Sequence, residues 1–248
     1  MKEIIEIISS IEDNSVYTNI KPTEIYNEGW MTRLLVHYSK QQNIKLKEID
    51  FEKIDNWTSE ALLSSPFIKA AKIREGYTHT DIALGDFKVN YKQNGVGSGK
   101  IIINDLAKVF GVIEAKMGSP LSSFTSNAKN YNQATRTITC IAENTKLNCF
   151  TFFYVVLPEC KVDKRNKKGI TIRDLVKPEN IKFQIEKRIL DHNESNDVKL
   201  IERDVFDKVD KCIVGIITYE EWIELFSDVN IKSTLNDFYS KCKKWNNI

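Results

Sequence analysis

The chain has 248 residues, 42% of them apolar and 28% charged, enough to bury a substantial core within one domain. Its 36 lysines and arginines stand against 34 acids, a net charge of +2 that neither requires nor forbids a nucleic-acid partner. No run approaches the ~18 apolar residues of a membrane span, and five scattered cysteines without CxxC or CxH grouping argue against structural zinc and for reduced thiols in a cytoplasmic protein.

The opening "MKEIIEIISSIEDN" alternates charge with isoleucine at helical spacing, which predicts a short amphipathic helix over residues 3–12 and not a signal peptide. A longer helix is expected from about Thr23 to Gln41, with Thr23 as N-cap and Ile25, Trp30, Leu34 and Val36 on its core face. Residues 57–73 read as short and broken by Pro66. The β-leaning residues 78–91, the loop "KQNGVGSG" and "KIIIND" at 100–105 predict an excursion that leads into the strand "VFGVIEAKM". "GVGSGK" is not a phosphate loop, because Asn94 replaces the required glycine and Ile101 the required Ser or Thr.

A serine-rich link over 118–127 then precedes a helix at about 128–145. "CFTFFYVVLP", 149–158, is continuously apolar and fits a strand buried on both faces. After the basic loop "KVDKRNKKG" come helices near 178–192 and 198–209, the strand "KCIVGIITY", and helices at about 219–227 and 230–246. Strands alternating with helices predict an α/β fold with a mixed central sheet flanked by helices.

One strand carries an anomaly. Glu114 and Lys116 stand two residues apart in an apolar run, so they share a face. Ionised groups are costly to bury unless paired or used. The pair is therefore a surface salt bridge or part of a site. Asp81 lies 33 residues upstream, in "HTDIALGDF". Two carboxylates from neighbouring strands can hold a hard divalent cation, with the Ala115 carbonyl as third ligand. Lys116 would then hold or help deprotonate a water and offset charge on a phosphate, which together suit phosphodiester hydrolysis.

Asp81 followed by Glu114-Ala115-Lys116 resembles the D…ExK signature of the PD-(D/E)XK nuclease superfamily. The resemblance covers roughly residues 24–157 and extends to Glu28, in "NEGWMTRLL", and Gln133, in "NYNQATR", as acidic and amide partners of the centre. It implies a restriction-endonuclease-like fold and a Mg²⁺- or Mn²⁺-dependent endonuclease cleaving duplex DNA to 5′-phosphates. Asp81, Glu114, Lys116, Gln133 and Glu28 would form its catalytic set, with Asp81, Glu114 and Ala115 on the metal. It further implies a homodimer in bacterial defence, with no membrane partner; the alternative is a catalytically silent member that binds nucleic acid or protein.

Two departures qualify the match: Thr80 precedes Asp81 where the family motif has proline, and the Asp-to-Glu gap needs an inserted excursion at 87–109. If "KIIIND" paired directly with "FGVIEAK", Asp81 would come from the next strand over, with Asp86 as the fallback acid. Tyr131 and Arg136 are possible phosphate contacts whose alternative is packing. Residues 158–248 carry no recognisable signature, and the basic loop at 161–169 is either a phosphate-tracking element or a solvated loop.

Overall fold

A computed structural model describes residues 21–70, 72, 74–91, 98–122, 124, 131–200 and 202–248. The helix expected over 3–12, most of the glycine-rich loop and part of the serine-rich link lie outside these residues. Along the chain, α1 (Pro22–Ile25) and α2 (Glu28–Gln41) precede a small ribbon of β1 (Lys45–Leu46) and β2 (Ile49–Asp50). Then follow β3 (Asn56–Leu63), β4 (Thr78–Gly85), β5 (Phe87–Asn90), β6 (Lys100–Ile103), β7 (Val109–Ala115), α3 (Gln133–Asn144) and β8 (Phe150–Leu157). The remainder comprises α4 (Ile172–Leu175), α5 (Pro178–Ser195), α6 (Glu202–Val209), β9 (Ile213–Thr218), α7 (Tyr219–Glu224) and α8 (Val229–Trp245).

Seven strands make one mixed sheet in the order β5-β6-β3-β4-β7-β8-β9. The segment β7, β8 and β9 is parallel, joined by helical crossovers, while β4 runs antiparallel to both of its neighbours, β3 and β7. Strand alternation divides the interior into two cores. Ala83, Val112, Phe153 and Val155 pack with Ile138 of α3 and Ile185 of α5 on one face. Ile82, Ile113, Tyr154 and Val156 pack with Leu35 of α2, Trp222 of α7 and Leu235 of α8 on the other. The result is the helix–sheet–helix layering of an α/β protein. As its apolar run predicts, β8 is buried on both faces from Thr151 onward.

Several expectations need correction. The long N-terminal helix is two helices, because the Asn27 side chain accepts the Trp30 N–H and restarts the helix there, so Thr23 is not its cap. The buried stripe of α2 is Met31, Leu35 and Val36 with Thr32 and Ser39, whereas Trp30 is 46% exposed. Residues 56–63 form a full strand, β3, which enters the sheet before the chain reaches Pro66. One alternative drops out, since "KIIIND" does not pair with β7 and the strand that carries Asp81 is the direct neighbour of β7. The "KIIIND" strand, β6, forms an edge hairpin with β5 and touches β3 at one position, Leu62–Lys100. The long Asp-to-Glu gap is therefore taken up at the rim of the sheet, leaving β4 directly beside β7.

Candidate active site

The β4–β7 ladder pairs Gly85 with Phe110 and Ile82 with Ile113. One step further in this register, Asp81 stands opposite Glu114, on the face that carries α3. There the ladder gives way to a side-chain bond: the Ala115 N–H donates to Asp81 Oδ2 at 2.8 Å. A residue's N–H and C=O point to the same edge of a strand, so the Ala115 carbonyl also lies on the Asp81 side. Lys116 Nζ reaches Glu114 Oε1 at 2.5 Å and Asp81 Oδ2 at 3.8 Å. Gln133, the first residue of α3, donates its amide to the same Glu114 oxygen at 2.5 Å. The crossover geometry explains this: α3 starts beside the C-terminal end of β7, the usual place for ligand contacts in parallel α/β units.

Glu28 opens α2 and arrives from the opposite face. Its carboxylate accepts the Met117 N–H at 2.6 Å and the Ser119 hydroxyl at 3.5 Å, so it clamps the chain immediately after Lys116. All five expected side chains thus converge on the C-terminal end of β7. Asp86 does not join them. It accepts the Lys108 and Val109 N–H groups at the start of β7, roughly 17 Å from Glu114 by strand rise.

Tyr131 is fully buried beside Phe67, and Arg136 is tied to the Tyr77 carbonyl at 2.9 Å and to Glu75. Both serve the packing of α3. His79 is exposed on β4, and the buried ring of His192 is bonded to the Val198 carbonyl.

The electrostatics are unusual for a structural pair. Glu114 is completely buried, and its Oε2 has no hydrogen-bond partner. Burial, then the nearby Asp81 charge, push its carboxyl up to about 8, against the pull of Lys116. Burial works against the Lys116 ammonium, but the Glu114 and Asp81 carboxylates outweigh it and hold its pKa above the usual lysine value. Without a further cation, the site is an ammonium wedged between two acids, one of which resists ionising.

That chemistry fits a hard divalent cation. An unpartnered carboxylate oxygen, a second carboxylate and a strand carbonyl are oxygen donors of the kind Mg²⁺ and Mn²⁺ take, and no imidazole or thiolate is among them. Among the described residues no cluster of three or more acidic, histidine or cysteine side chains could cage an ion. The remaining positions would fall to water, as is common for Mg²⁺.

Sequence reading missed Glu60. Ser59 pairs with Ile82 and Ala61 with Thr80, so Glu60 on β3 stands opposite Asp81 on β4. Its backbone is left-handed, with φ of 57°, which brings its side chain to Arg33 at 3.6 Å. Nothing in "NWTSEALL" signals that conformation, which belongs to Asn or Gly by habit. Together with Glu28, Trp30, Arg33, Asp81 and Ser119, Glu60 lines an open cavity of about 600 Å³ beside the centre. A larger cavity, of about 800 Å³, lies at the other end of the sheet around Asp86 and Phe152 and contains none of these groups. Convergence of chemistry, and not volume, identifies the site.

Comparison with protein-family models, with curated proteins and with solved structures finds no match to this chain. Among the described residues no helix is long and apolar enough to cross a membrane.

Proposed function

We propose that the chain is a metal-dependent endonuclease of restriction-endonuclease-like architecture, hydrolysing DNA phosphodiester bonds with Mg²⁺ or Mn²⁺. One observation carries the reading: a fully buried glutamate oxygen lacks a partner one strand away from a second carboxylate, with a lysine ammonium against both. A structural salt bridge would satisfy its own acceptors. This one leaves an acceptor open for a cation.

Asp81, Glu114 and the Ala115 carbonyl would hold the ion, which when bound supplies Lewis acidity toward a phosphoryl oxygen and an attacking water. Lys116 remains an ammonium in the metal-free protein, so it acts first as a donor that orients that water and meets charge developing on the phosphoryl oxygens. Gln133 fixes the rotamer of Glu114, and Glu28 fixes the backbone that follows Lys116. The N-termini of α2 and α3, capped by Asn27 and Asn132, both begin at the site, and the positive ends of their dipoles favour an incoming phosphate.

A bacterial defence role, as a restriction enzyme or an activated effector nuclease working as a homodimer, is the setting this activity suits.

Plasmid nicking in Mg²⁺ or Mn²⁺ tests the proposal. Wild type should cut, and Glu114→Ala and Lys116→Ala should each slow cutting by about 10²-fold or more. Cleavage that survives both substitutions overturns the site. Absence of cleavage across both metals and across DNA and RNA substrates favours the silent, binding-only form of the fold.

A further inference from the structure

A second cavity, of about 220 Å³, adjoins the candidate centre and shares Lys116 with it. Its polar lining includes Lys161, Lys164 and Arg165, and its floor includes Leu157 and Leu175. Among the described residues that line it, none is a carboxylate. The cations come mainly from the loop at 161–169, which carries five basic residues against one acid, Asp163. That acid is engaged by Arg173 at 2.8 Å and does not neutralise the pocket.

The loop is built, not loose. Lys161 Nζ donates to the Met117 carbonyl at 2.6 Å, which anchors it to the strand end that carries the catalytic triplet. Arg165 braces the turn through the Gly169 carbonyl at 2.7 Å, and Asn166 accepts the Lys168 and Ile170 N–H groups. Burial and the neighbouring Lys164 charge lower the pKa of Lys161, against the pull of the Glu28 carboxylate.

Gly118 and Ser119 form a wall common to this pocket and to the acidic cavity that holds Asp81 and Glu28. A polyanion crossing that wall meets a cation-binding centre on one side and fixed ammonium and guanidinium groups on the other. We infer that the pocket formed by Lys116, Lys161, Lys164 and Arg165 binds a backbone phosphate of a nucleic-acid strand adjacent to the one at the centre. This inference takes the identity of the ligand from the nuclease reading. The apolar floor gives the attached sugar or base a surface to cover, and the cations give the phosphate its charge partners.

The test measures strand binding in EDTA by anisotropy of a labelled oligonucleotide, single-stranded and duplex, across a salt series. Wild type is compared with Lys164→Ala, Arg165→Ala, the double variant and the charge-retaining Lys164→Arg. The double variant should bind about tenfold more weakly, with a salt slope shallower by about 1 to 2, and Lys164→Arg should match wild type. An unchanged slope, or no strand binding by wild type, overturns the inference. So does a pocket in which inorganic phosphate or a nucleoside monophosphate competes for Lys164 and Arg165 while strand binding ignores both residues, since the ligand would then be a free nucleotide. Because binding is read without metal, a changed slope with no cleavage leaves the pocket standing and removes the nuclease reading. Cleavage with an unchanged slope does the reverse.

Discussion

Glu114 sits fully buried in a strand of apolar neighbours with one carboxylate oxygen unpartnered, which is a cost to the fold. The sign of that cost follows from its pKa, raised from 4.5 to about 8 in the metal-free protein. A carboxyl that is harder to ionise in the folded state gives its full stability below the unfolded pKa and loses it as pH climbs through the folded one. Metal-free protein should therefore lose stability between about pH 4.5 and 8, and Glu114→Gln should flatten that decline in chemical denaturation. A decline of equal slope in both proteins would place its origin elsewhere. Metal binding must expel the same proton, so apparent Mg²⁺ affinity by calorimetry should rise with pH and level off near 8. Glu60 stores a smaller strain in its left-handed backbone, and Glu60→Gly should leave stability unchanged or raise it by about 1 kcal/mol in urea titrations, despite the lost contact with Arg33.

Register is the property that joins these residues, and it is set by elements remote from them. Gly85 has φ of 128°, and a Cβ there would lie 2.2 Å from the Val109 carbonyl oxygen, so only glycine lets β4 close on β7 at that end. The Gly85–Phe110 pair fixes the ladder that, four residues on, sets Asp81 opposite Glu114. Gly85→Ala should cost about 3 kcal/mol or more, read as a lowered urea midpoint, and the surviving folded fraction should cut poorly. Normal stability and activity would mean that this contact does not set the register. The apolar strands β7 and β8, the crossover helix α3 and the shared face of Glu114 and Lys116 were all legible from periodicity. The neighbour of β7 was not, because hydrophobic pattern shows which face of a strand is buried and leaves its pairing partner open. β3 escaped notice for a related reason: in "NWTSEALL" the burial is confined to Ala61 and Leu63, and the rest of the strand looks like loop.

At the scale of the whole molecule, the residues after 157 belong to the same two cores as the candidate site. β9 covers the edge of β8 along six paired positions, and the Trp222 indole donates to Ser39 of α2 at 2.9 Å. The Tyr219 hydroxyl lies 3.3 Å from that of Thr32, and Asn246 donates to the Tyr26 carbonyl at 2.8 Å. The part of the chain without a sequence signature thus supports α2, which brings Glu28 to Met117. Truncation after residue 157 exposes the long apolar edge of β8, and the fragment should show no cooperative unfolding transition by circular dichroism. A fragment that unfolds cooperatively would show that the chain up to residue 157 stands without the rest. The central claim is that one divalent cation binds between Asp81 and Glu114, and crystals soaked in Mn²⁺ test it most directly. An anomalous peak within about 2.2 Å of both carboxylates and of the Ala115 carbonyl is the predicted result. A peak elsewhere, with none between these two strands, would contradict it.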